Sequence, residues 1–197
     1  MNLDEIFGSC PLMAIFRHQT ALRSAELATA AWDLGIDTVE IPLQSDEDLR
    51  GLRAVADLAT QRGKVVGAGT IVDPQQVAIA VQTGAAFLVS PGFDPEVVRA
   101  AQKAGISIVP GVATPSEVQR ALALGLTWLK AFPAQWLGPG WFSHIRGPFP
   151  EARFIATGGM DADNAQQFLD AGVRVVAVGS ALEDPAQLPR LAALLPR

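Results

Sequence analysis

The sequence predicts an α/β chain folded as one compact (β/α)₈ barrel over residues 1–197. Eight short apolar runs rich in β-branched residues recur along the chain, each followed by a turn and an Ala/Leu-rich amphipathic stretch. Apolar strands that alternate with helices are typical of a parallel sheet covered by helices. Eight such units favour a barrel, and 197 residues leave room for only short loops in a fold of typically about 250 residues.

The predicted strands are the apolar runs themselves, which occupy 12–16, 38–43, 64–70, 87–91, 107–111, 127–132, 153–159 and 175–180. Helices fit between them, because many of these stretches begin near a proline and end just before a glycine. Examples of predicted helices are 20–34, 74–83, 95–104, 115–124 and 161–171. An open doubly wound sheet is the alternative. It would normally have a glycine-rich first turn, whereas the first turn here is Arg17-His18-Gln19-Thr20.

Composition excludes several classes of function. A net charge of −5 gives no basic surface for nucleic acid or for an acidic membrane. No run approaches the roughly 18 consecutive apolar residues of a membrane span. The N-terminal residues 1–8 include acidic residues where a signal peptide has basic ones. The single cysteine, Cys10, and two distant histidines, His18 and His144, predict neither a disulfide nor a metal site. We therefore predict a soluble cytoplasmic protein. If it is an enzyme, we expect side-chain chemistry rather than a metal ion to carry out the catalysis.

Chemistry in a (β/α)₈ barrel takes place at the C-terminal ends of the strands. In this sequence those ends are rich in ionisable, polar and glycine residues, whereas the strand interiors are nearly all apolar. The strand-end residues are Arg17, Glu40, Gln44, Thr70, Ser90, Pro91, Pro110, Gly111, Lys130, Phe132, Thr157, Gly158, Gly159, Gly179 and Ser180. This set contains the candidate functional residues.

Lys130 and Glu40 are ionisable residues inside apolar runs. The other two lysines, Lys64 and Lys103, lie at a polar strand start and on a predicted surface helix. Burying a charge costs free energy unless it is paired or neutralised, and a neutral amine in a dry pocket attacks carbonyl groups. If both side chains point into the barrel, Lys130 can form an imine while Glu40 moves protons. A snorkelling lysine or a structural buried ion pair is the alternative.

Two glycine turns follow the last two predicted strands. Thr157-Gly158-Gly159 ends the seventh strand and opens a predicted helix, and Gly179-Ser180 has the same place after the eighth. Exposed backbone N–H groups and helix N-termini favour anions, and phosphate sites between these two strands are common in this fold. Together the turns predict a phosphate site, although either turn alone is typical of a tight connection.

Other candidates have a structural alternative of similar or greater weight. Thr70 can hydrogen-bond a substrate hydroxyl or carboxylate, or it can simply end a strand. Arg17 suits a substrate carboxylate, or it is a surface arginine. Phe132 can form an apolar wall beside an imine, or it is a core aromatic residue. The aromatic stretch 136–142 can cover the site, join a subunit interface or pack a helix onto the barrel.

These segments together resemble the bacterial aldolases of 2-keto-3-deoxy-6-phospho-sugar acids. The matching segments follow the family order over nearly the whole chain and are 39–43, 67–70, 90–92, 110–111, 129–134, 157–159 and 179–180. The K-x-F-P segment at Lys130 and the E-x-x-L segment at Glu40 are specific in combination, whereas each glycine motif alone is not.

The resemblance implies a class I, Schiff-base aldolase, usually a homotrimer, that acts on a phosphorylated keto-deoxy sugar acid, releases pyruvate and needs no metal or dissociable cofactor. It implies that Lys130 forms the imine and that Glu40 is the general acid/base. The phosphate-binding residues that it implies are Gly158, Gly159, Gly179 and Ser180. The candidate residues around the rest of the substrate are Arg17, Thr70, Gln44, Pro91, Phe132 and Thr157.

One position separates two branches of this family. Phosphogluconate-type aldolases have an arginine four residues after the glutamate, where this chain has Gln44. Phosphogalactonate-type enzymes resemble the chain better, because they have a small amide there and an arginine after the first strand, as at Arg17. We therefore predict the phosphogalactonate branch, with the C4-epimeric phosphogluconate substrate or dual specificity as the alternative. A different phosphate-binding barrel enzyme and a non-catalytic phosphosugar-binding barrel are alternatives of other classes.

Overall fold

The computed structural model describes residues 2–8 and 10–196, which form a parallel barrel surrounded by helices. The strands are β1 (Leu12–Ile15), β2 (Thr38–Pro42), β3 (Val65–Gly69), β4 (Phe87–Val89), β5 (Ser107–Val109), β6 (Gly111–Val112), β7 (Trp128–Ala131), β8 (Arg153–Thr157) and β9 (Val175–Val178). The helices are α1 (Leu3–Phe7), α2 (Ala21–Leu34), α3 (Asp46–Arg62), α4 (Pro74–Thr83), α5 (Pro95–Ala104), α6 (Pro115–Ala123), α7 (Ala134–Leu137), α8 (Pro139–Ile145), α9 (Ala165–Asp170) and α10 (Leu188–Ala192), with a 3₁₀ helix at Ser180–Glu183.

The sheet closes through a strand that is interrupted at Pro110. Its order is β5-β4-β3-β2-β1-β9-β8-β7-β6, and every pairing is parallel. The two end strands, β5 and β6, are separated only by Pro110, which has no N–H to donate. They are therefore two pieces of the fifth predicted strand, one paired with β4 and the other with β7. The predicted (β/α)₈ barrel is confirmed, and the open doubly wound alternative is wrong.

Most predicted helix boundaries agree with the structure. The helices α4 and α5 have the predicted bounds, and α2 begins one residue late because Thr20 is its N-cap, accepting the Arg23 N–H at 3.2 Å. Helix α9 was predicted from position 161 but begins at Ala165. The Asp161 carboxylate accepts the N–H groups of Asp163 and Asn164, and this side-chain turn competes with the first helical turn.

Helix α1 closes the N-terminal end of the barrel and was not predicted, because five residues are too few to show a helical period. Asn2 and Glu5 form a capping box that stabilises it. Its Phe7 ring lies 5.2 Å from the Phe87 ring and 5.1 Å from the Trp128 ring, measured between centroids. The opposite end of the barrel, where the strands end, carries no such plug within the described residues.

Two hydrophobic cores follow from the alternation of side chains along the strands. Inward-facing residues fill the barrel together with Ile6 and Phe7 from α1. Outward-facing strand residues pack against the helices in a larger core. By the same alternation Thr38, Glu40 and Lys130 lie on the inner face and are buried. Along the described part of the chain, no helix combines the length and apolar character that crossing a membrane requires.

Candidate active site

A cavity of about 520 Å³ opens at the C-terminal ends of the strands. Nine of the twelve predicted site residues line it: Arg17, Thr70, Pro91, Phe132, Thr157, Gly158, Gly159, Gly179 and Ser180. The other three, Lys130, Glu40 and Gln44, lie next to lining residues or contact them. The structure therefore brings the predicted residues to one end of the barrel.

Lys130 lies in the middle of β7, in register with Gly111 on one side and Ile155 on the other. Only 2% of the residue is exposed, so it does not snorkel to the surface. Its amine nitrogen lies 5.4 Å from the centroid of the Phe132 ring, and Phe132 lines the cavity. Within the described residues the amine has no hydrogen bond or ion pair. A buried amine at the cavity is thus left free to react.

Glu40 is fully buried on β2, in register with Ile15 and Gly67. Its carboxyl group lies against the backbone of Gly69, since a Cβ added there would be 1.9 Å from Oε1. Glycine is therefore required at position 69 so that the carboxyl group fits. Among the described residues, neither carboxylate oxygen has a hydrogen-bond partner. Such a group costs free energy in the absence of ligand or water, and this cost is typical of functional sites.

The strands β2 and β7 stand on opposite sides of the barrel, with three strands between them in either direction once β5 and β6 count as one. Glu40 and Lys130 therefore face each other across the interior. No ion pair within 4.0 Å joins them in the described part of the chain. The alternative of a structural buried ion pair is therefore wrong for the described residues.

Arg17, Gln44 and Thr70 form a cluster at one side of the cavity. The guanidinium of Arg17 donates to the carboxamide oxygen of Gln44 and, at 3.4 Å, to the Thr70 hydroxyl. Thr70 has φ of 58°, a left-handed conformation that is unusual for a β-branched residue and costs about 1–3 kcal/mol. Gln44 is exposed and does not line the cavity, so its contact with the site is through Arg17.

Two glycine turns line the other side of the cavity. The β8 turn (Gly158 and Gly159) has φ of 97° and 74°, and the β9 turn (Gly179 and Ser180) leads into the 3₁₀ helix. The prediction that the β8 turn opens a helix directly is wrong, because α9 begins only at Ala165. Anion binding here would depend on the backbone N–H groups of the turns rather than on a helix dipole. The buried hydroxyl of Thr157 lines the same space, without a partner among the described residues.

Four lining residues were not predicted: Ile15, Met160, Ala177 and Glu183. Glu183 ends the 3₁₀ helix, and its Oε1 accepts a hydrogen bond of 3.3 Å from the Gln19 side chain. Because Glu183 is three residues after Ser180, a helical turn at the last strand end would have predicted its position. The three apolar residues gave no chemical signal in the sequence.

Part of the aromatic stretch has one of its three predicted roles, because it packs a helix onto the barrel. Trp141 and Phe142 pack edge-on against Phe154, with ring centroids 5.3 and 5.7 Å away, and so fix α8 on the barrel. Trp136 is 88% exposed instead.

Cys10 is buried, and its burial raises the pKa of the thiol, so the thiolate form is disfavoured. The described residues contain no group of three or more His, Cys, Asp and Glu side chains placed to hold a metal ion.

Comparison with known proteins gives a consistent result over almost the full chain. Residues 3–191 match the family model described as "KDPG and KHG aldolase". The chain is 34% identical over 176 residues to the probable 2-dehydro-3-deoxy-6-phosphogalactonate aldolase of Rhizobium meliloti, covering 89% of this chain and 82% of that one. It is 35% identical over 179 residues to the 2-dehydro-3-deoxy-phosphogluconate aldolase of Treponema pallidum, covering 90% and 82%.

Solved structures show the same fold. One described as "Native KDPGal structure" is 33% identical, with a TM-score of 0.82, and the match covers 93% of this chain and 90% of that one. The KDPG aldolase of Legionella pneumophila, with pyruvate captured as a covalent carbinolamine, is 28% identical, with a TM-score of 0.86 and coverage of 98% and 96%.

Proposed function

Because this chain belongs to the family of KDPG and KHG aldolases, we propose that it cleaves 2-dehydro-3-deoxy-6-phosphogalactonate to pyruvate and D-glyceraldehyde 3-phosphate through a Schiff base on Lys130. The observation that carries this proposal is the buried, unpaired Lys130 amine beside Phe132. The Legionella relative with pyruvate held as a carbinolamine supports the same covalent chemistry.

The reaction begins when the neutral amine of Lys130 attacks the C2 ketone. This attack gives a carbinolamine. Glu40, directly or through a water, assists the loss of the carbinolamine hydroxyl group as water, and the resulting iminium accepts electrons from the C3–C4 bond. Glu40 then takes the proton of the C4 hydroxyl, the C3–C4 bond breaks and glyceraldehyde 3-phosphate leaves. Protonation of the remaining enamine at C3 and hydrolysis of the imine release pyruvate. The position of Glu40 across the barrel from Lys130 supports this division of roles.

The two sides of the cavity hold the two ends of the substrate. Arg17 and Thr70 bind the carboxylate end, and the β8 and β9 turns bind the phosphate. Pro91 and Phe132 form walls beside the imine, and the Thr157 hydroxyl faces the substrate. Fixing both ends positions the reacting bond between Lys130 and Glu40.

The galactonate epimer is favoured by Gln44, which stands where phosphogluconate-type aldolases have an arginine. Arg17, which follows the neighbouring strand β1, donates a hydrogen bond to the Gln44 amide and supplies the cation instead. The phosphogluconate epimer is the second candidate, because relatives named for it are as similar as those named for the galactonate compound. The ratio of kcat/KM on the two epimers tests this choice. A strong preference for the gluconate substrate would reverse the assignment.

Borohydride trapping tests the Schiff base. Wild-type protein incubated with pyruvate and borohydride should gain a reduced pyruvate adduct on Lys130, located by peptide mass spectrometry. Lys130→Arg keeps the positive charge but forms no such imine. The variant should therefore give no adduct, and its turnover should be at least about 10³-fold lower than that of wild type. Lys103→Ala, exposed on α5, is the control. Turnover without an adduct would indicate another barrel enzyme, and binding without turnover would indicate a non-catalytic phosphosugar-binding protein.

We further propose that residues 1–197 form a single domain that works as a homotrimer in the cytoplasm, in sugar-acid degradation of the Entner–Doudoroff type. The 88% exposed Trp136 supports an oligomer, because interfaces are enriched in tryptophan. Light scattering coupled to gel filtration measures the mass directly. A monomer at micromolar concentration would contradict the homotrimer.

A further inference from the structure

We infer that Gln135 is a positioning residue that holds the β8 turn in the shape that binds the substrate phosphate. This inference rests on the proposed aldolase function, because it assigns a role within the same site. It concerns a residue outside the cavity lining, which acts on the substrate through Gly158 and Gly159.

The β8 turn requires support from its neighbours. Both of its residues are glycines with positive φ, and glycine has the greatest backbone freedom of any residue. On one side, the Asn164 side chain donates a hydrogen bond of 2.8 Å to the carbonyl of Gly159. A single hydrogen bond leaves the rest of the turn free to change its backbone angles. A second contact is therefore needed to orient the N–H groups toward an anion.

Gln135 provides that second contact with both its backbone and its side chain. Its N–H donates a hydrogen bond of 3.1 Å to the carbonyl of Gly158. Its side chain fills the space beside Gly159, since a Cβ added there would lie 2.0 Å from Oε1 and 2.8 Å from Cβ of Gln135. The glutamine and the glycine are thus complementary in shape, and a β8 turn with different backbone angles would not fit against the side chain.

Gln135 also connects the β8 turn to the reacting amine. It is five residues after Lys130, and the segment between them includes Phe132, whose ring carbon lies 3.1 Å from the position of a Cβ on Gly158. One short segment therefore carries the nucleophile and packs against the phosphate-binding turn. The segment sets the distance between the imine carbon and the phosphate, on which the position of the reacting bond depends.

The role of Gln135 can be separated from a role in folding. Gln135 is exposed, and its side chain has no hydrogen bond within the described residues. Removal of such a side chain usually changes stability very little. A loss of substrate binding in a variant would then reflect the β8 turn rather than unfolding.

The test compares two reactions that share Lys130 but differ in phosphate. Gln135→Ala should raise KM for the phosphorylated sugar acid about 5- to 20-fold while kcat stays within about 2-fold. Deuterium exchange at C3 of pyruvate, which needs the enamine but no phosphate, should stay at the wild-type rate. Gln135→Met, close in size and without an amide, should restore KM to within about 3-fold, because packing is the proposed contact. Gln82→Ala, exposed on α4, is the matched control.

Three outcomes would overturn the inference. They are an unchanged KM in Gln135→Ala, a fall in its pyruvate-exchange rate as large as its loss of kcat/KM on the phosphorylated substrate, and a KM in Gln135→Met as high as in the alanine variant. The first would remove any role, the second would indicate a general structural role, and the third would exclude packing as the contact. Wild-type protein without pyruvate exchange would instead refute the proposed aldolase function, so the two failures are distinguishable.

Discussion

The two ends of the barrel interior differ in how their polar side chains are satisfied, although the same strands supply both. On β2, the Thr38 hydroxyl donates to the carbonyl of Ile6 at 3.1 Å, whereas Glu40, two residues further, has no partner among the described residues. On β7, the Trp128 indole donates to Asp4 at 2.7 Å, whereas the amine of Lys130 is unpaired in the described part of the chain.

This difference indicates that the ends of the barrel have separate tasks. At the N-terminal end, α1 brings Asp4 to Trp128 and to Arg153, with which it forms an ion pair, so polar groups there are paired and support the fold. At the C-terminal end, the unpaired hydroxyl of Thr157 lines the cavity, and the unpaired groups of Glu40 and Lys130 lie next to residues that line it. Substitutions at the open end should therefore affect activity, and those at the closed end should affect stability.

Among three substitutions that compare the two ends, the largest expected effect is on activity and comes from Glu40→Gln. The amide keeps the shape of the side chain but cannot transfer the proton, so kcat/KM should fall roughly 10²- to 10⁴-fold. Because the carboxyl oxygens have no partner among the described residues, the melting temperature should be equal to or higher than that of wild type. Steady-state kinetics and differential scanning fluorimetry measure the two effects. Full activity with a lower melting temperature would remove Glu40 from the mechanism.

A large effect on stability is expected from Phe7→Ala at the closed end. The ring is buried against Phe87 and Trp128, so its loss should lower the free energy of unfolding by about 3–5 kcal/mol. Below the melting temperature, kcat should stay within about 2-fold of wild type, since no reacting group is touched. Urea denaturation gives the free energy, with Leu22→Ala, 72% exposed, as the control. A selective loss of kcat in folded protein would show that the two ends are coupled.

The smallest effect is expected from Asp4→Asn and depends on pH. Hydrogen bonds from Arg153 and Trp128 lower the pKa of the Asp4 carboxyl from its ordinary 3.8. Its stabilising contribution is therefore complete above that value and is lost as pH falls through the lower folded-state pKa. The variant should melt below wild type at pH 7, and the difference should shrink at pH below 3.8. Asp57→Asn, exposed on α3, is the control, and a difference that does not change with pH would contradict the role of the charge.

The sequence was sufficient to predict the barrel and to select Lys130 and Glu40, because both depend on local patterns. Apolar runs predict buried strands, and a charge inside such a run is visible without a structure. The left-handed Thr70 could not be predicted, since its conformation depends on its surroundings rather than on its own preference. Gln135 was missed for a related reason, because its contact with Gly159 joins two strand ends that only the fold brings together.

The position of α1 has a practical consequence for attaching the protein to a solid support. A linker joined ahead of α1 would leave from the closed end of the barrel, away from the cavity of the candidate active site. A linker after α10 is less suitable, because Arg190 of that helix forms an ion pair with Asp163, only four residues beyond Gly159. An immobilised catalyst should therefore be tethered in front of α1, so that its open end faces the flowing solution.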